Sequence, residues 1–206
     1  GDKEDYRKKL ANELFNQNKF DEAKVRYQTI MDEGNPDSEI YYKMGIIEKE
    51  FGKHQQALEF FNKNIEEKNN PYFSNAIYEI MNLLKRQQKY SEAIDIFYNH
   101  VVGSSLDSSD TESLSLLLSD IYFNMKDYLS ASNEYRRFIE LFPASLYLDK
   151  ALFYLAYSIE NLNNNSDYKE AYRLYKELIE KYPESKYRKN SKDRILYLER
   201  HYLKIN

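Results

Sequence analysis

Three histidines, His54, His100 and His201, are the only imidazoles in a chain of 206 residues that has no cysteine. Imidazole serves as a metal ligand or a general base, and both roles need partners at defined spacing. None of the three has a His or Cys three or four residues away, so no metal-ligand pair forms on a helix face. Without cysteine there is no disulfide, no thiolate metal site and no thiol nucleophile. Carboxylates fare no better. Glu66 and Glu67 are adjacent and point apart on a helix. Asp107 and Asp110 lie among serines but lack the ligand spacing of a calcium loop. The five glycines form no phosphate-cradling loop. The expectation is a non-enzymatic chain: no catalytic residue, no metal and no cofactor.

What the chain offers instead is aromatic surface. It has 21 Tyr and 11 Phe but no Trp, and only four Pro. Few Pro and Gly favour long helices, and alanines show how those helices are arranged. Ala23, Ala57, Ala93, Ala131 and Ala171 are spaced by 34, 36, 38 and 40 residues. Each is followed four positions later by a ring: Tyr27, Phe61, Phe97, Tyr135 and Tyr175. A small residue lets two helices approach, and the ring fills the gap to the next pair. A repeat near 34 residues with this pairing marks stacked helical hairpins.

This is the tetratricopeptide pattern, and the chain resembles that family along its whole length. The resemblance implies an all-α, right-handed solenoid of about five hairpins, read as a single domain over 1–206. The repeats are expected at 4–37, 38–71, 74–107, 112–145 and 149–185, with a capping helix over 186–205. In the first repeat, helix A is expected from about Glu4 to Gln17 and helix B from Phe20 to Asp32. Asn35-Pro36 should end that unit, since Pro cannot continue a helix. Repeat two carries Tyr41, Met44, Gly45, Ala57, Phe61 and Pro71 on the signature positions. The run 102–110, Val-Gly-Ser-Ser-Leu-Asp-Ser-Ser-Asp, is expected to be a loop and a mild hinge. Repeat five is expected to have a hairpin turn longer by about three residues, through Asn163 to Ser166. The last segment spaces Tyr187, Ile195, Leu198, Tyr202 and Ile205 helically, as a cap over an open stack end requires.

Repeats four and five share a longer motif. Phe138-Ile139-Glu140-Leu141-Phe142-Pro143-Ala144-Ser145-Leu146-Tyr147 recurs as Leu178-Ile179-Glu180-Lys181-Tyr182-Pro183-Glu184-Ser185-Lys186-Tyr187. Pro ends helix B, Ser is expected to cap the next helix, and Tyr to pack back. From about 131 to 206 this resembles the periplasmic tetratricopeptide proteins of bacteria. That group includes the outer-membrane-assembly lipoprotein BamD and the Tol-Pal-associated protein YbgF, also called CpoB. The resemblance implies a scaffold of the bacterial cell envelope, on its periplasmic side, in outer-membrane protein assembly or Tol-Pal-type coordination. The alternatives are a cytosolic adaptor or co-chaperone, and a repeat domain of a larger protein.

In this family the A helices line a concave groove that holds a protein or peptide segment. Carried onto this chain, the groove positions include Asn12, Tyr42, Ile46, Lys49, Tyr78, Asn82, Lys85, Phe123, Phe153 and Tyr157. Tyr and Phe offer flat apolar faces, and Tyr adds a polar tip. A carboxylate clamp of the co-chaperone kind is not expected. Its positions hold Lys8, Asn12, Lys43, Asn75 and Glu79, and Glu79 would repel the carboxylate.

Net charge is −4, which does not suggest a nucleic-acid partner. The charge is uneven, since residues 185–206 carry five more positive than negative charges. No stretch reaches the ~20 apolar residues of a membrane span, and no signal peptide is visible. The chain opens on Gly1 rather than Met, so an upstream signal or lipid anchor is compatible with it.

Overall fold

A computed structural model describes residues 2–34 and 36–203, with side chains from Tyr6 onward. The expectations at Asn35, Lys204 and Ile205, and for the Glu4 side chain, lie outside the described residues. All regular structure among the described residues is helical. Eleven α-helices are present: α1 (Asp2–Asn16), α2 (Phe20–Asp32), α3 (Ser38–Glu50), α4 (His54–Ile65), α5 (Phe73–Arg86), α6 (Tyr90–His100), α7 (Ser108–Asn124), α8 (Tyr128–Leu141), α9 (Leu148–Glu160), α10 (Asn165–Lys181) and α11 (Arg188–Leu198). A π-helical turn over Glu199–Leu203 follows. The chain is all-α, with the helix order of a tetratricopeptide array.

Contacts gather the helices into two compact units, Gly1–Gln87 and Gln88–Asn206. In the first, α1 pairs with α2 and α3 with α4, and α5 packs on α4. In the second, α6 leads into the hairpins α7/α8 and α9/α10, and α11 closes on α10. The third repeat of the sequence thus has its A helix in one unit and its B helix in the other.

The five framing alanines are fully buried, as is Ala11. Gly45 shows why the position must be small. A Cβ there would sit 2.5 Å from Phe61 Cε1, inside van der Waals contact. The paired rings Tyr27, Phe61, Tyr135 and Tyr175 are fully buried too. Ala11, Tyr27, Ile40, Met44 and Ile47 centre the core of the first unit. Tyr135, Phe138, Phe153, Leu155, Tyr175 and Leu198 run through that of the second.

Within each repeat the turn from helix A to helix B repeats one backbone device. Asn18, Gln88, Lys126 and Asn163 hold φ between 58° and 64°, and Gly52 takes φ 73° at the same place. In three of the turns the next amide reaches back five residues, Lys19 to Leu14 O, Lys53 to Glu48 O and Asp127 to Tyr122 O. This is the Schellman closure, which satisfies orphan carbonyls at a helix C-terminus. Glycine is preferred at such a position, yet four of the five turns do without it.

Two expectations need correction. The repeat-five turn is 161–164, one residue longer than the three-residue turns 51–53 and 125–127, not three. The extra sequence went into helix: Asn164 caps α10 by accepting from Asp167 N at 3.0 Å, which starts the helix early. The motif serines do not cap a helix N-terminus. Ser145 and Ser185 instead accept from the backbone amides of Tyr147 (3.0 Å) and Tyr187 (3.1 Å), two residues on, in a side-chain turn before the helix.

Candidate partner-binding surface

The inner positions of the A helices sort into rings, polar links and open side chains. The polar links follow a rule. In three repeats a helix-B tyrosine donates its hydroxyl to the residue fifteen positions earlier on helix A: Tyr27 to Asn12 (2.6 Å), Tyr135 to Asp120 (2.6 Å) and Tyr175 to Glu160 (2.9 Å). Where helix B carries Phe61 instead, the residue fifteen back is the apolar Ile46. Each polar acceptor is then tied onward. Asn12 donates to Glu39 at 3.0 Å, Lys150 donates to Asp120 at 2.6 Å, and Arg194 holds Glu160. Burial and the adjacent carboxylates push the Tyr135 and Tyr175 phenols far above their ordinary range, so both stay protonated donors.

Glu39 is the hub of the first unit. It accepts from Lys8 at 2.6 Å and Lys43 at 2.8 Å as well as from Asn12. Burial pushes its carboxyl up, but the hydrogen bonds from Lys43 and Lys8 outweigh this and hold it below its ordinary value. The cations that a carboxylate clamp would use are therefore already neutralised. Glu79, the residue that argues against such a clamp, pairs with Lys49 at 2.9 Å.

The expected groove residues divide on this basis. Asn12 is taken up between Tyr27 and Glu39. Tyr42 stacks on Tyr72 at 5.0 Å and leans on Phe61 at 5.7 Å. Burial, aided by Glu79 and Tyr72, pushes its phenol up to about 12. Ile46 and Lys85 are half-buried. Phe153 is only 7% exposed because Tyr187 stacks over it at 5.0 Å. That ring is core, and sequence position alone placed it wrongly among open groove residues. Phe123 meets Tyr154 edge-on at 4.8 Å and Tyr157 at 5.7 Å, and both Phe123 and Tyr157 remain half-buried.

Three expected residues come together in one place. Lys49, Tyr78 and Asn82, with Glu79, Leu83 and Arg86, line a depression of about 240 Å³ in the first unit. Tyr78 is 40% exposed there. Asn82 and Arg86 make no hydrogen bond or ion pair among the described residues. The depression therefore offers a ring, an amide with a free donor and acceptor, and a free guanidinium. Arg86 was missed in the sequence, although it follows Asn82 by four residues on the same helix face.

Residues 70–203 match the family model YfiO, described as an outer membrane lipoprotein. The match spans well over half of the sequence. The chain belongs to the YfiO family. No curated relative matches it. Solved structures similar to this YfiO-family chain share its fold. One is the C-terminal part of a TPR repeat-containing protein from Cytophaga hutchinsonii, with TM-score 0.72 at 17% identity over 95% of this chain and 72% of that one. Another is MamA from Desulfovibrio magneticus, with TM-score 0.68 at 19% identity over 87% and 95%. A third is PilF of Pseudomonas aeruginosa, with TM-score 0.61 at 14% identity over 97% and 92%. Family and fold together make the chain a tetratricopeptide interaction scaffold. Among the described residues no helix is long and apolar enough to cross a membrane.

Proposed function

We propose that this chain is a non-catalytic scaffold of the bacterial cell envelope, on its periplasmic side, that docks a segment of a partner protein on the inner face of its A helices. The observation that carries the reading is the convergence of Lys49, Tyr78 and Asn82 with Arg86 around one depression. Three of these were expected at groove positions from the sequence alone. The chemistry suits an extended or helical segment bearing an apolar residue and an acid. Tyr78 supplies an anchoring ring, the Asn82 amide pairs with a peptide group, and Arg86 takes a carboxylate in two-pronged fashion. Phe123 and Tyr157 of the second unit form a smaller aromatic patch of the same kind. Asn12, Tyr42 and Phe153 serve packing and are left out of the proposed site. The family's description as outer membrane lipoproteins supports work in outer-membrane protein assembly or Tol-Pal-type envelope coordination.

The reading is tested in the native bacterium with a photo-crosslinking residue at Tyr78 and, as a control, at the exposed Glu59 of α4. A discrete protein adduct from position 78, absent from 59 and recovered with the envelope fraction, is the expected result. No adduct at 78, or recovery of the protein only in the cytosol, overturns it.

A further inference from the structure

The scaffold reading leaves the terminal helix unused. A cap over a repeat stack needs a polar outer face, but it does not need one sign of charge. Lys186, Arg188, Lys189 and Lys192 line one open depression of about 450 Å³ around the start of α11. All four are exposed, and none has a carboxylate partner within 4 Å among the described residues. Elsewhere, inner-face cations such as Lys8, Lys43, Lys49 and Lys150 are neutralised by acids of their own unit. Between Pro183 and Leu198 the sequence has two acids, Glu184 in the same depression and Asp193 on the helix. The stripe continues along α11 from Lys189 and Lys192 to Leu196, which is 49% exposed, with Tyr197 beside it at 38%. The inner side of the helix is spoken for: Leu198 is fully buried and Arg194 is bound to Glu160.

We infer that the outer face of α11 docks on an anionic lipid surface, its lysines against phosphate headgroups and Leu196 and Tyr197 at the acyl boundary. The chemistry argues for lipid over an acidic protein. Several cations on a flexible-stemmed, open face suit many mobile phosphates. Apolar and aromatic side chains one to two turns along the same helix suit an interfacial position. The chain's family is one of outer membrane lipoproteins, so such a surface lies within its working environment. This contact is independent of partner docking at Tyr78, and either can fail alone.

The test is co-sedimentation of the full 206-residue chain with vesicles of phosphatidylcholine, with and without phosphatidylglycerol. Binding is expected only to the anionic vesicles, and it should fade at ~1 M salt, where screening shortens to ~3 Å. Lys189→Glu with Lys192→Glu should weaken it ~tenfold or more. The milder pair Lys189→Gln with Lys192→Gln should give a smaller loss. Circular dichroism confirms that both variants are folded. Unchanged binding by the charge-reversed variant overturns the assignment. So does binding to polyglutamate but not to vesicles, which would give the face to an acidic protein. Displacement from vesicles by inorganic phosphate, beyond that by chloride at equal ionic strength, overturns it in favour of a discrete phosphate site.

Discussion

Gly45→Ala sets two effects of known size against each other. Glycine inside a helix costs about 1 kcal/mol relative to alanine, so the substitution regains about that much. Against this, the new Cβ would lie 2.5, 2.7 and 2.9 Å from Cε1, Cδ1 and Cζ of Phe61. Carbon pairs prefer ~3.5–4.0 Å, so the ring or α3 must shift by about 1 Å. Phe61 is fully buried and leans on Tyr42, whose own ring is held by Tyr72. The strain therefore spreads into a packed stack, and overpacking of this kind costs ~1–3 kcal/mol. The net expectation is a loss of ~1 kcal/mol. Phe61→Leu removes the ring edge that clashes. In that background Gly45→Ala should become neutral or stabilising by up to ~1 kcal/mol, a coupling of ~1–2 kcal/mol between the two sites. Urea unfolding of wild type, both single variants and the double variant measures it. Equal effects of Gly45→Ala in the two backgrounds, or a gain in the wild-type background, would refute the packing argument.

Arg194→Ala should cost ~3 kcal/mol in urea unfolding, because it strands the buried Glu160 carboxylate with only the Tyr175 hydroxyl. Glu160→Gln removes the charge yet keeps one carbonyl oxygen that can accept from both Tyr175 and Arg194 Nε, so it should cost distinctly less; equal losses would argue against a charge-based lock. The Glu39 carboxyl is held below its ordinary value of 4.5, so the stability it adds is complete above that pH and is lost as pH falls through the lowered value. The gap in urea midpoint between wild type and Glu39→Gln should be level above pH ~5 and narrow below pH ~4.5; a gap that widens on acidification contradicts the assignment. Tyr42→Ala should lower the unfolding free energy measured in urea by ~2 kcal/mol or more, as loss of a packed ring does, whereas Tyr78→Ala should change it by less than ~0.5 kcal/mol.

The hairpins were legible because their signal is local. A small residue and a ring four apart sit on one helix face, and the spacing repeats. The turns were less legible. The left-handed residues Asn18, Gln88, Lys126 and Asn163 are not glycine, so among the turns from helix A to helix B the usual mark of a helix C-terminus was present only at Gly52. The candidate site was legible by half, for a reason outside local sequence. Whether an A-helix ring faces a partner depends on what the following loop lays over it. Tyr72 covers Tyr42 and Tyr187 covers Phe153. Tyr147, at the matching place in the motif, stays exposed. Forty residues before Phe153, where the repeat spacing would place a supporting ring, the chain has Ser113. The fifteen-residue link from helix-B tyrosine to helix-A acceptor was present in the sequence as Asn12/Tyr27, Asp120/Tyr135 and Glu160/Tyr175. It identifies those acceptors as structural and removes them from any list of open groove residues.

The depression at α5 is the centre of this account, and one titration tests it most directly. The segment captured at position 78 is synthesised as a peptide and titrated calorimetrically into the wild type, Tyr78→Ala and Tyr42→Phe. Tyr78→Ala is expected to weaken binding by ~2 kcal/mol, about thirtyfold, as loss of an aromatic anchor does. Tyr42→Phe, which keeps the stacked ring, should bind like wild type. Equal affinities of wild type and Tyr78→Ala, with both proteins folded, would contradict the central claim.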